Sequence, residues 1–142
     1  LLTGWWIDTG KLTPLLEANR LLLERINTQI DGDVDESSVI DGRVRIAGGA
    51  RIINSTICGP VSIGPDTEIR DAFIGPFSAI GARCSVASSE VEHSVIMDNS
   101  IISDIPRLEG SLIGSHAEVI RTGRKPRSLQ LMVGDHCQID VE

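Results

Sequence analysis

Aromatic side chains are scarce in this 142-residue chain: two tryptophans and two phenylalanines make up 3% of it, and tyrosine is absent. A broad layered core built on large rings is therefore excluded, and the interior has to be thin and aliphatic. Basic residues are also in deficit, with 13 Lys and Arg against 20 Asp and Glu, a net charge of −7. That balance leaves no basic footprint for a phosphate backbone, so nucleic acid is not an expected partner. Cysteine occurs three times, at Cys58, Cys84 and Cys137. An odd number without CxxC-type spacing supports neither a disulfide framework nor a zinc site. No apolar run approaches the ~20 residues of a membrane span, and no signal-peptide pattern opens the chain. No membrane partner is expected, and the expected location is the cytoplasm.

What the chain has instead is a period. Ile40, Ile46, Ile52, Ile57, Ile63, Ile69, Ile74, Ile80, Val86 and Val91 follow one another at six-, six- and five-residue steps, so equivalent positions recur every 17 residues. A unit of that length cannot bury its own apolar residues and needs neighbours stacked on it, which is the logic of a β-solenoid. The fourth position after each anchor of a six-residue step is small or β-branched: Val44, Ala50, Val61, Thr67, Ser78 and Cys84. Residues of that size fit a narrow interior beside the anchor, and Cys84 and Cys137 are expected there as buried structural thiols. Glycine often follows the anchor, as in Ile63-Gly64-Pro65, Ile74-Gly75-Pro76 and Ile80-Gly81-Ala82. The spacing predicts very short strands with glycine-made corners between them.

Two stretches do not share the period. In residues 1–30, Gly4-Trp5-Trp6-Ile7-Asp8-Thr9-Gly10 reads as a short strand running into a turn, and Pro14 through Ile26 as a helix with Thr13 as cap and Pro14 at its first position. Leu15, Ala18, Leu22 and Ile26 would form its apolar face. Asn27 to Asp33 then reads as a linker, so residues 1–30 and 31–142 are expected to be separate units. The missing initiator Met and an opening close to an apolar strand point to a piece of a longer protein. After Val119 the period lapses into a basic loop, Arg121 to Arg127, and resumes at Val133 and Ile139, where a cap over the solenoid end is expected.

The repeat from about Val34 to Val119 resembles the hexapeptide repeats of acyltransferases and sugar-nucleotide pyrophosphorylases, which implies an all-β, single-stranded left-handed parallel β-helix. Periodicity alone does not choose that hand, since right-handed crossovers are the general rule. Gly4-Trp5-Trp6-Ile7-Asp8-Thr9-Gly10 with Leu15-Leu16-Glu17-Ala18-Asn19 resembles the segment that closes the catalytic domain of nucleotide-sugar pyrophosphorylases. The order of elements is similar to the long form of the glucose-1-phosphate thymidylyltransferase family, as are Gly59-Pro60-Val61, Ser88-Ser89-Glu90-Val91-Glu92-His93-Ser94 and Arg124-Lys125-Pro126 with Leu131-Met132-Val133-Gly134-Asp135-His136. The resemblance implies a parent that joins dTTP and glucose 1-phosphate into dTDP-glucose and pyrophosphate. It further implies that Asp8 is a ligand of the parent's Mg²⁺, a role suited to a hard carboxylate oxygen. The family's glycine-rich nucleotide loop, second metal aspartate and sugar-binding lysine have no match, so this chain by itself is expected to lack catalysis and to hold no cofactor. The implied partners are the parent's own N-terminal catalytic domain and further copies of the chain, a trimer being favoured.

Other chemistry needs other residues. An independent hexapeptide acyltransferase would use a histidine as base, for which His93, His116 and His136 are the candidates. A zinc hydrolyase would need them to converge, but their separations do not match the coil. The loop from Arg121 to Arg127 offers planar donors to a phosphate or a carboxylate, and also reads as a solvated turn. Arg43, Arg45 and Arg51 alternate with Asp41, Glu68 and Asp71, as on a solvated charged face. A third possibility is a scaffold that only holds copies together.

Overall fold

The computed structural model describes residues 9–121 and the strand segments 128–129, 132–133 and 138–141. Helix α1, Thr9–Leu23, is followed by strands of only two to four residues, all paired in parallel and laid out on three faces. One face holds Gln29–Ile30, Val44–Ile46, Val61–Ile63, Ser78–Ile80, Val95–Ile96, Leu112–Ile113 and Met132–Val133. The second runs from Asp33–Val34 to Gln138–Val141, and the third from Val39–Asp41 to Ser128–Leu129. The chain visits the faces in turn, and each visit lies beside the one a coil earlier. This is the expected parallel β-helix, of the left-handed type. Strands already form at Gln29–Ile30 and Asp33–Val34, within the stretch that reads as a linker.

The register of the coils is the repeat in the sequence. Ile40, Ile57, Ile74, Val91 and Leu108 stand side by side on the third face. Ile46, Ile63, Ile80, Ile96 and Ile113 do so on the first, and Ile52, Ile69, Val86, Ile102 and Val119 on the second. Every one of these but Ile40 is buried, which makes one continuous aliphatic core. Burying an isoleucine stabilises by roughly 1.5–3 kcal/mol, and here it happens only because the next coil supplies the other half of the contact. Beyond Val91 the five-residue step moves to a different corner, Val91 to Ile96, without disturbing the columns.

The corners are made differently from the expectation. Gly64, Gly75 and Gly81 do not carry the left-handed backbone. That conformation falls on non-glycine residues further on, among them Asp66 (φ 60°), Phe77 (φ 65°) and Arg83 (φ 54°). Their backbone N–H groups donate to carbonyls one coil earlier, as Phe77 to Pro60 at 2.8 Å and Arg83 to Pro65 at 2.9 Å, which offsets the steric cost of about 1–2 kcal/mol each. Glycine is needed at position 64 for a different reason: a Cβ there would lie 2.6 Å from the carbonyl carbon of Gly81 in the next coil. At position 64 glycine thus follows inter-coil spacing, whereas Gly42, Gly49 and Gly110 do carry the left-handed backbone, at φ 76°, 82° and 58°.

Inside the corners, small hydroxyl residues tie coil to coil. The Ser55 hydroxyl donates to the Ile53 carbonyl at 2.8 Å and accepts from the Ala72 N–H at 3.1 Å. Ser89 does the same between Ala87 and Ile105 at 2.8 and 3.0 Å, and Ser94 between Glu92 and Ser111 at 2.9 and 3.1 Å. Each buried hydroxyl is thereby satisfied together with a backbone N–H that the tight corner leaves over.

Candidate functional site

Helix α1 lies on the outside of the first face, where the outward positions are unusually apolar: Ala79, Val95 and Leu112. Leu12 and Leu16 pack onto Leu112 and Val95, and Leu23 is also buried. The helix thus begins earlier than its sequence suggests, at Thr9, and ends earlier, at Leu23. Pro14 sits inside it and costs one backbone hydrogen bond. Burial of Leu12, two residues before the proline, outweighs that loss. The buried face is also not the expected one. Ala18 is exposed, and Leu15 and Leu22 stand 44% and 69% exposed.

Polar contacts fix the helix in place. The Asn19 side-chain amide donates to the Phe77 carbonyl at 3.0 Å, and the Arg20 guanidinium lies 5.9 Å from the Phe77 ring centroid. Arg43 donates to the Glu24 carbonyl at 2.6 Å, a cation at a helix C-terminus. Donation to the Glu17 carboxylate holds the Arg20 guanidinium above its ordinary pKa. Phe77 in turn meets the His93 ring edge-on, with centroids 6.4 Å apart.

The larger grooves among those of the described residues lie on different parts of the solenoid. One, about 440 Å³, runs between α1 and the first face and is lined by Leu15, Ala18, Asn19, Leu22, Val95, Met97 and Leu112. The other, about 400 Å³, lies at a corner and is bordered by Asn54, Asp71, Ser88 and Glu90 among others. It is polar but holds no histidine, cysteine or lysine.

Among the described residues the candidates are not brought together. His93 lies at the corner leading onto the first face, His116 at the corner leaving it, and neither lines either groove. The His93 Nε2 is enclosed and has no partner among the described residues. Among the described residues no group of His, Cys, Asp and Glu is placed to hold a metal ion. Cys84 is buried as expected, its thiol 3.1 Å from the Met97 carbonyl, and burial pushes its pKa up. Cys58 points outward on the third face, half-covered, with its pKa raised first by burial and then by Asp41. Arg121 closes its strand beside Val141. Asp8, His136, Cys137, the proposed strand at residues 4–8 and the loop at 122–127 lie outside the described residues. Arg43, Arg45, Arg51, Asp41 and Asp71 are exposed, as a solvated charged face requires, and Arg51 reaches Glu68 only at 4.0 Å. No helix among the described residues is long and apolar enough to cross a membrane.

The open leucine stripe had a signal in the sequence. Leucines at 12, 15, 16, 21, 22 and 23 mark two helical faces, and apolar residues at the outward positions 95 and 112 show which part of the solenoid is covered. No protein-family model matches the chain. It is 40% identical over 142 residues, all of this chain, to a glucose-1-phosphate thymidylyltransferase of Streptomyces antibioticus, of which it spans 40%. It is 40% identical over 99% of its length to the enzyme of that name from Streptomyces griseus, again spanning 40% of the relative. A low-salt glycan biosynthesis nucleotidyltransferase of Haloferax volcanii is 32% identical over 97% of the chain, which spans 40% of that protein as well. The chain is thus a β-helix domain, homologous along its whole length to two-fifths of the sugar-1-phosphate nucleotidyltransferases named glucose-1-phosphate thymidylyltransferase.

Proposed function

We propose that the chain is the C-terminal β-helix of a glucose-1-phosphate thymidylyltransferase, carrying at its start the last strand and helix of the catalytic domain. The observation that carries this reading is the 40% identity to two proteins of that name across the chain, together with its coverage of only 40% of each. In the parent, a phosphate oxygen of glucose 1-phosphate attacks the α-phosphorus of dTTP, and pyrophosphate leaves with dTDP-glucose formed. Such transfers depend almost wholly on positioning and on stabilising phosphate charge. Asp8 would supply one carboxylate ligand to a Mg²⁺ that would offset this charge, and the phosphate-cradling backbone would lie elsewhere in the parent. The solenoid itself serves packing and assembly, with a trimer as the favoured state. That neither His93 nor His116 lines either groove supports this over an acyltransferase of the solenoid's own, which would need its base at a cleft.

The test is turnover of the full-length parent with dTTP, glucose 1-phosphate and Mg²⁺, read as pyrophosphate release. The expected result is dTDP-glucose formation that Asp8→Ala lowers by two or more orders of magnitude, roughly the loss seen when a transition-state charge loses a key stabilising group. An inactive parent, or an Asp8→Ala variant at full rate, would overturn the assignment.

A further inference from the structure

We propose that the second face of the solenoid is a two-fold contact with a second copy of this chain, the two coil axes running in opposite directions. The inference deepens the assembly role proposed above, on which it rests, and does not depend on the assigned reaction. Among the described residues the other faces suit a second copy less well. The first carries α1. On the third the outward positions Asp41, Glu90, Glu92 and Glu109 are acidic and Arg107 is basic, so two copies would set like charges together.

On the second face the outward positions form two rows, one on each side of the buried central column. The register puts Arg51, Glu68, Ser85, Ile101 and Glu118 in one row, and Ile53, Arg70, Ala87, Ser103 and Ile120 in the other. The middle strand of the seven, Ser85–Ala87, turns only small side chains outward. Two such strands can approach closely, and a two-fold axis laid along them makes each row meet its own reverse. Arg51 then meets Glu118 of the second copy and Ile53 meets Ile120, each pair occurring twice. Ile101, 41% exposed, is covered in the same contact. Glu68, which faces it, keeps Arg70 of its own chain at 3.1 Å.

Laying two copies face to face with their axes parallel sets each row against the other row at the same level. Arg51 would then lie on Ile53 and Glu118 on Ile120, and Glu68 would be offered an Arg70 when it already has one. Burying a charge against an apolar side chain costs free energy, whereas opposite charges facing each other fix the orientation. The rows therefore select opposed axes. Such a contact is closed, so it joins chains in twos, and trimers paired through it contain six chains.

The experiment uses the full-length parent carrying Arg51→Lys, which supplies an amine, and a carbodiimide, which couples an amine to a touching carboxylate without a spacer. Within one chain positions 51 and 118 stand four strands apart, about 19 Å, so an amide between them reports a second copy. Coupling to Glu68, 4.0 Å from Arg51 in the same chain, leaves the mass unchanged and shows that the amine reacts. The expected product has double mass, joins position 51 to Glu118, and disappears when Glu118→Gln is added. The exchanged pair Arg51→Glu with Glu118→Lys keeps the rows complementary and should give the same double-mass product with the roles reversed. Single-chain products only, or a double-mass product joined elsewhere, would overturn the proposal. A ladder of triple and higher masses through positions 51 and 118 would also do so, because it means a head-to-tail contact. Pyrophosphate release is measured on the same preparations, so that coupling without turnover discards the assigned reaction while keeping the contact, and turnover without coupling does the reverse.

Discussion

Serine at the corners illustrates how one atom decides a fold of this kind. The Ser89 hydroxyl is both donor to Ala87 and acceptor for the Ile105 N–H, whereas the buried Ser78 hydroxyl has no partner among the described residues. Ser89→Ala leaves a buried N–H unpaired and is expected to cost about 1–3 kcal/mol, while Ser78→Ala should change stability by less than about 0.5 kcal/mol. Urea midpoints at unchanged slope provide the comparison, and equal losses for the two variants would contradict the ladder. Asp35 makes a second residue-scale case. Its carboxylate is held below the ordinary aspartate value of 3.8, chiefly by the Ser38 hydroxyl and also by the Asn54 N–H and Ser37. A depressed folded pKa means stability that is present above the unfolded value and lost as pH falls through the lower, folded one. Asp35→Asn should therefore lower the urea midpoint at neutral pH, and the difference from the parent sequence should vanish in acid below that window. A gap that persists unchanged at the acid end would show that the carboxylate charge is not involved. The inward columns were legible at this scale because burial repeats with the chain's own period. The left-handed corners at Phe77 and Arg83 were not, since neither residue favours that conformation and only the carbonyl of the coil beneath holds it there.

Helix α1 shows what an element's own pattern leaves undetermined. Leucines on two faces make both orientations plausible, and the choice falls to the partner surface, where Val95 and Leu112 accept Leu12 and Leu16. Asn19, on the chosen side, finds the Phe77 carbonyl. The same tertiary contact explains why Pro14 does not start the helix, a boundary that local rules alone misplace. Leu16→Ala should then cost about 2–3 kcal/mol, the lower part of the range for a buried leucine, and Leu22→Ala well under 1 kcal/mol. Chemical denaturation of the 142-residue chain measures both. A larger loss for Leu22 than for Leu16 would mean that the helix lies on the solenoid through its other face.

At the scale of the whole molecule, the solenoid is a rod whose interior is fully used by Ile, Val and Leu columns, with serines and alanines filling the corners. That leaves its surface for function, and the described surface offers an apolar groove and charged faces but no assembled set of catalytic groups. The fold was therefore readable from a period, while the proposed metal site rests on a motif alone, Trp6-Ile7-Asp8-Thr9-Gly10, and its chemistry would depend on residues that the repeat does not contain. A lone aspartate without a phosphate cradle supplies little of what phosphoryl-group transfer requires. On the proposed reading, this chain assembles and supports a transferase whose chemistry resides elsewhere in the polypeptide. The most direct test is pyrophosphate release by the purified 142-residue chain, assayed beside the full-length parent with dTTP, glucose 1-phosphate and Mg²⁺. The predicted result is turnover by the parent and none above background by the chain; dTDP-glucose formed by the chain alone would contradict it.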